Sequence, residues 1–576
     1  MAPFVRGHAV RHADRVLARS VFCLALAVYA ATFVGIPEVP EGELAFQSAR
    51  SLARELDLAI GATPEAQVFV EFARSHGTGG ALAAGRDGER LYSVHGVGLS
   101  LVALPLYWAG WAAGELAWTE IQRRHEDVGL YGRSVSEYFQ HLFVGFQNPL
   151  LGACTAWLVV LVARRLGLER RQAWLAGIAY ALTTFAWPQA RSCLPEVQAA
   201  FWLFFAFYWV LRVRERFEQL ETPRRGELLA LGAGVGLAFL TRASLAPACL
   251  VLCIAGEVVV WSGHKRLSAS RWTPRDRQQR GVRAALALLF LPIVLALLVF
   301  AITNWLRFGS ALDTGAPPGG FLAKDFGTSA RLGLLGLLAS PGRGLFWMAP
   351  GLLVIPFGFA QAREIGERLW RRVTLGVALA VVVPLVFQRE WHGSWTYGPR
   401  YLLPALPFLW LAVALALPAA AESRGLRLFL AAALTLGLLV QLPAALVDHV
   451  THQDLAMQAA EIAWPSGGGD PDEEAADRFQ RIQWTWGFAA PWAHWRILRH
   501  RLAGLDESYP VNEVFRVDDD ATVRPLFARE EGFRHLAWVD LIERLSGPVW
   551  PGVLLFLALA TVGALLTAQG LDRSAP

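Results

Sequence analysis

The chain has 576 residues, 54% of them hydrophobic, and a formal net charge of +5. A soluble protein of that length is less apolar, and apolar runs of about 20 residues, enough to cross ~30 Å of hydrocarbon, recur along it. Its basic residues, nearly all arginine, cluster between the apolar runs, which fits the inner loops of a membrane protein and not a nucleic-acid surface.

In chain order, the runs predict spans over roughly 18–36, 138–162, 173–190, 194–211, 227–244, 246–262, 283–304, 344–361, 373–388, 402–420, 426–447 and 548–569. The first follows Arg6, Arg11, Arg15 and Arg19 with no small-residue cleavage site, so it is read as a retained span. Next comes "VPEGELAFQSARSLA", with Glu41 and Glu43 opening an expected amphipathic helix over 44–58. The stretch 94–118 is also apolar, and loop charge decides its state. If it does not cross, "ARRLGLERRQ", "RVRERFEQLETPRR", "HKRLSASRWTPRDRQQRGVR" and "REIGERLWRR" all share the side of the arginine-rich N-terminus, as the positive-inside rule requires. It is therefore read as re-entrant or interface-lying, a state that suits its Pro105, glycines and tryptophans. The fold expected is an all-α polytopic membrane protein with about 12 spans and juxtamembrane helices on the outer face. Residues 1–447 form the membrane module with an outer loop over 37–137, 448–547 an outer-face region, and 548–576 a last span with a short tail. Cys23, Cys154, Cys193, Cys249 and Cys253 lie in or beside apolar runs and suggest neither a disulfide framework nor a zinc site.

The outer loops collect the acids Glu41, Glu43 and Glu196, the cations Arg191, Arg242, Arg307, Arg343, Arg389 and Arg400, and the histidines His95 and His392. Arginine is disfavoured on that side, so the cluster asks for an anion at the membrane surface. Phosphate matches the guanidinium fork. A lipid-linked sugar phosphate would keep its tail in the bilayer and its phosphate on arginine, while Glu41 or Glu43 takes the acceptor's proton. Against this stand plainer readings. Both glutamates suit the first turn of any helix, Arg191, Arg242 and Arg400 suit interface anchors, and His95 suits solvent. The "VDDD" at 517–520 reads as a solvated turn, and no ligand set with metal spacing accompanies it.

The ordered set "EGELAFQSARSLA", "GRDGERLYSVHGVGLSLVALPLY", "ARSCLPEVQAA", "GLAFLTRASLAP", "NWLRFGSALDTG", "SPGRGLFWMAP" and "GSWTYGPRYLLPALP" resembles the GT-C superfamily of membrane glycosyltransferases. The resemblance is to the bacterial protein O-mannosyltransferases and lipid A aminoarabinose transferases, and it covers most of 18–447. It implies a polyprenyl-phosphate-linked sugar donor, a glycan, lipid or protein acceptor, and an outward-facing site in a bacterial inner membrane. It implies catalytic acids at Glu43, or Glu41 with a shifted register, and at Glu196. Arg400 is the implied donor-phosphate ligand, followed by Arg191, Arg343 and His95, with His392 nearby. Gly42 separates two glutamates where the family often has Asp-Glu or Asp-x-Asp, which leaves a divalent metal open. Two other classes compete: a transporter or flippase for a lipid-linked or anionic solute, and a non-catalytic relative. Against the transporter, the spans carry almost no mid-span charge and no two-half symmetry.

Overall fold

The computed structural model describes residues 12–35, 40–60, 82–124, 135–271, 275–315, 329–364, 368–505, 508–525, 536–539 and 550–572, with 67 and 70. The parts of the expected outer loops at 61–66, 68–69, 71–81, 125–134, 316–328 and 526–535 lie outside these residues. The chain begins with α1 (His12–Ala31), α2 (Pro40–Glu55), α3 (Gly98–Arg124), α4 (Val135–Gly145), α5 (Gln147–Arg165) and α6 (Arg170–Thr183). It continues with α7 (Pro195–Glu218), α8 (Arg225–Thr241), α9 (Ala246–Arg271), α10 (Arg275–Phe308), α11 (Ala330–Ala339), α12 (Ile355–Glu364) and α13 (Arg368–Leu385). The last helices are α14 (Leu406–Glu422), α15 (Arg424–Leu446), α16 (His449–Ala463), α17 (Pro471–Trp484), α18 (Ala490–Leu502) and α19 (Trp550–Asp572).

Among the described residues, six helices are long and apolar enough to cross a membrane: Ser136–Arg165, Pro195–Glu218, Ala243–Ser270, Asp276–Phe308, Arg400–Glu422 and Arg424–Leu446. Helices also form at other expected runs, including α1, α6 and α13. The run 344–361 is broken instead, into Leu345–Met348, a 3-10 turn over Pro350–Val354, and α12. Pro350 lacks the amide that would continue the first helix.

The all-α expectation needs one correction. A three-stranded antiparallel sheet, with β1 (Ala59–Ile60) and β2 (Leu82–Ala84) flanking β3 (Leu91–Ser93), lies between α2 and α3. A second pair joins β4 (Tyr509–Pro510) to β5 (Thr522–Val523). These strands are two or three residues long, too short for alternation to reveal them.

First and last helices pack together, α1 on α19, and α7 packs on α8, α5 and α9. The module's core is aromatic where α7 meets α14, with Phe204 and Phe207 against Phe408. Trp410 is fully buried and donates its indole N–H to the Ala176 carbonyl at 2.9 Å, so its polar atom is satisfied. The region 448–525 has a core of its own, including Leu455, Phe479, Phe488, Ile497, Val514 and Phe515. It docks on the module through Trp347 against Trp486 and through the Trp495 indole, which donates to the Leu439 carbonyl. Trp486, Trp492 and Trp495 stay 37–50% exposed, as suits an interface-resting surface.

Candidate functional site

The site begins with α2. Pro40 is tolerated at a helix start because its missing amide would be unpaired there, and the two glutamates favour the positive end of the helix dipole. Positions two apart on a helix point about 200° apart, so Glu41 and Glu43 cannot face the same partner. Glu41, with Ala45 and Ser48, lines a small cavity shared with His95, Thr241 and Arg307. Glu43, with Gln47 and Arg50, faces α4. There the buried Glu43 carboxylate meets His141 Nε2 at 3.1 Å and accepts from Gln47 Nε2 at 2.6 Å. One turn on, Arg50 pairs with Glu137 at 3.1 Å.

On the Glu41 face, three other elements converge. Glu196 stands in the first turn of α7, Arg242 just past the end of α8, and Arg400 opens the 3-10 turn Arg400–Ala405. Arg400 Nη2 donates to Glu41 at 2.8 Å and to the Tyr401 hydroxyl at 3.2 Å, while its Nε lies 3.6 Å from Glu196. Arg242 donates to the same Glu196 oxygen. Tyr401 lies between the two cations, with the guanidinium carbons of Arg242 and Arg400 at 4.9 and 4.8 Å from its ring centroid.

Not every hydrogen-bonding group here is used. Among the described residues, Arg400 Nε and Nη1, Glu196 Oε2 and His95 Nε2 are buried without a hydrogen-bond partner. Buried donors on a charged group cost free energy unless something accepts from them. Arg242 and Tyr401, which contact this cluster, also line a cavity of about 180 Å³. Arg242, Gln388, Glu390 and Tyr401 give it a polar end, and Pro384 and Leu385 of α13 an apolar wall.

Burial alone would raise the Glu41 carboxyl, but Arg400 and then His95 outweigh it and hold it down at about 2. His95 is lowered, chiefly by burial and also by Arg242 and Arg400, against the pull of Glu41. Its loop is held by Arg307, which donates to the Ser93 carbonyl at 2.7 Å. Glycine makes this approach to α8 feasible, since a Cβ on Gly98 would stand 2.4 Å from the Thr241 nitrogen.

The other expected donor-site residues sit differently. Arg191 donates to the carbonyls of Thr32, Ala444 and Val447, at 3.1, 2.8 and 2.8 Å, tying the ends of α1 and α15 together. Arg343 donates to Gln483 and to the carbonyls of Thr396, Gly398 and Ser394, which ties the turn after α11 to loop 389–399 and to α17. Burial and the neighbouring Arg400 lower Arg343 to about 9. His392 packs between Trp391 and Phe479 and accepts from the Ser394 amide; burial, then Arg343 and Arg400, depress it to about 3. Arg389 is exposed. Sequence reasoning counted Arg242 without giving it a role and missed Tyr401 altogether. The signal was its position directly after Arg400 at the mouth of a span.

Among the described residues no group of three or more His, Cys, Asp or Glu side chains converges as metal ligands. The carboxylates of Glu41 and Glu196 are instead bound by arginine, a donor set that fits an anion and not a divalent cation.

The chain is similar in structure to ArnT from Cupriavidus metallidurans in the apo state, with 14% identity over 96% of this chain and 77% of that one, at a TM-score of 0.43. It is also similar to the Archaeoglobus fulgidus oligosaccharyltransferase in the apo form, with 12% identity over 80% of this chain and a TM-score of 0.39. It spans 59% of the length of that archaeal protein. A further structure of the Cupriavidus protein, bound to undecaprenyl phosphate, matches at 15% identity over the same shares and a TM-score of 0.37. No curated protein matches the sequence. Residues 131–308 match the family model of the dolichyl-phosphate-mannose-protein mannosyltransferases.

Proposed function

We propose that the protein transfers a sugar from a polyprenyl-phosphate-linked donor to an acceptor hydroxyl on a glycan, lipid or protein, at the outer face of a bacterial inner membrane. The observation that carries this reading is Arg400, which is buried with two donors idle and a third on Glu41, and packs against Tyr401, a residue that with Arg242 lines an open cavity. An anion with a lipid tail suits that arrangement: phosphate for the guanidinium groups of Arg400 and Arg242, and a chain along the apolar wall at Pro384 and Leu385. The twelve-span count, the outward orientation and a non-crossing 94–118 belong to the same proposal.

The roles follow from contact and charge. Glu41, rather than Glu43, is the base. In the free protein it is held near pKa 2 by Arg400 and is a poor proton acceptor. A donor phosphate that takes the fork of Arg400 loosens that pair, and the basicity of Glu41 rises when the substrate is present. The acceptor oxygen then bonds to the anomeric carbon as the bond from that carbon to the phosphate oxygen breaks. The acceptor's proton goes to Glu41, and the polyprenyl phosphate leaves carrying its negative charge on Arg400 and Arg242. Glu196 holds both arginines, and Glu43 with His141 fixes the rotation of α2. Both are positioning residues, and Arg191 and Arg343 hold the surrounding turns.

The test is incubation of purified protein with a panel of polyprenyl-phosphate sugars and measurement of free polyprenyl phosphate. Release from at least one donor, lost in Glu41→Gln, is expected. No release from any donor by the wild-type protein rules the reading out.

A further inference from the structure

The opposite end of the bundle holds a second feature that the transfer reaction does not use. From Glu196 to Glu218, α7 runs 22 residues, about 33 Å, or close to one hydrocarbon thickness. At its far end lies a cleft of about 590 Å³ between α9 and α13, which Arg214, Phe217 and Glu218 of α7 also line. The two helices are in close contact where Val251 faces Gly376, at which a Cβ would stand 2.9 Å from a Val251 methyl. The same cleft is lined by Arg266 on α9 and by Arg368 and Arg372 on α13. Its apolar wall includes Ile254 and Val258, 51% and 54% exposed.

Charge separates these three arginines from their neighbours. At the same end Arg212 pairs with Glu215, Arg214 with Glu218 and Arg216 with Glu227. Arg266, Arg368 and Arg372 are exposed and have no ion pair among the described residues. A lone arginine at a helix end is an ordinary interface anchor. Three around one apolar cleft make a site with positive charge at its rim and hydrocarbon-like walls.

We infer that this cleft binds one anionic glycerophospholipid from the leaflet opposite the catalytic cluster. Its phosphate sits among Arg266, Arg368 and Arg372, and its acyl chains lie along α9 and α13. Depth selects this occupant. From Arg368 to Gly376 is 8 residues and from Arg266 to Val251 is 15, or about 12 and 22 Å, which is the depth of one leaflet. Acyl chains of ordinary length fill it, whereas most of a polyprenyl chain would hang outside. Guanidinium groups favour the phosphodiester through paired hydrogen bonds, and a zwitterionic head group brings a competing cation.

Native mass spectrometry of the full-length protein, titrated with equimolar phosphatidylglycerol and phosphatidylcholine of matched chains, tests the inference. Wild type is expected to retain one more phosphatidylglycerol than phosphatidylcholine. The triple variant Arg266→Gln, Arg368→Gln, Arg372→Gln loses that molecule, its affinity falling ~10-fold or more. Ile254→Trp fills the apolar wall, leaves the arginines intact, and loses it too. Arg277→Gln, Arg280→Gln, Arg283→Gln removes as much charge outside the cleft and keeps it. Equal retention of both lipids, an unchanged triple variant, or an equal loss in the control each overturns the site. Displacement of phosphatidylglycerol by equimolar polyprenyl phosphate overturns the choice of ligand.

Discussion

Arg343 and Arg400 are both almost fully buried, at 1% and 4% exposure, and stand close enough that each charge is felt by the other. Yet they sit in different surroundings. Around Arg343, and likewise Arg191, the acceptors are mainly backbone carbonyls contributed by segments far apart in sequence. Around Arg400 and Arg242 the acceptors are carboxylates and a phenol, and two of the Arg400 donors are idle. A carbonyl cage cannot exchange its contacts for a ligand without opening the fold. A carboxylate pair can, because an incoming anion replaces one negative partner with another. Burial of an arginine therefore does not by itself mark a binding site.

The comparison breaks most visibly at Glu41. Glu41→Gln should lower turnover by ~10²-fold or more while donor affinity holds, since the amide cannot take a proton. Normal turnover in that variant would remove the base from the proposed mechanism. On the carbonyl-caged side, Arg343→Met should destabilise the protein by roughly 3 kcal/mol, because several carbonyls lose a charged donor together. Thermal melting checks this, and an unshifted melt would mean that the cage is not structural.

Arg400→Lys keeps the charge and loses the planar fork, so donor affinity should fall by about 10-fold with an unchanged melt. Equal donor affinity, measured by equilibrium binding, would make Arg400 an interface anchor. The pH profiles sharpen the point. Glu41 at about 2 stays ionised in the free protein, and donor binding frees it from Arg400, so the acid limb of kcat should lie at higher pH than that of kcat/KM. Coincident limbs would mean that the ion pair survives donor binding.

Stability has its own pH window. Burial depresses His392 and His452 to about 3 and His449 to about 4. The folded state thus keeps them neutral while the unfolded state protonates near 6.5. Their contribution is complete above that value and is lost as pH falls through it, toward 4 for His449 and toward 3 for His392 and His452. A melt at pH 5 should therefore lie a few degrees, roughly 3 °C, below one at pH 7.5. The smallest effect belongs to Glu43→Gln, whose amide can still hydrogen-bond His141 and Gln47: turnover within about threefold of wild type. A deep loss there, with Glu41→Gln active, would exchange the two roles.

The sequence by itself determined the membrane character, most of the long helices, the acids and cations available, and a helix opening with two glutamates behind the first span. Composition and 3.6-residue periodicity carry those properties locally. Which glutamate meets the arginines was decided by the tertiary structure. The faces of α2 are fixed by Arg400, 359 positions away in the chain, and by His141, 98 away, and no local pattern encodes either contact. The same holds for Arg191 and Arg343. Their acceptors are main-chain carbonyls, which every residue has, so the side-chain sequence gave no sign that these two arginines would be held by the backbone while Arg400 kept donors idle.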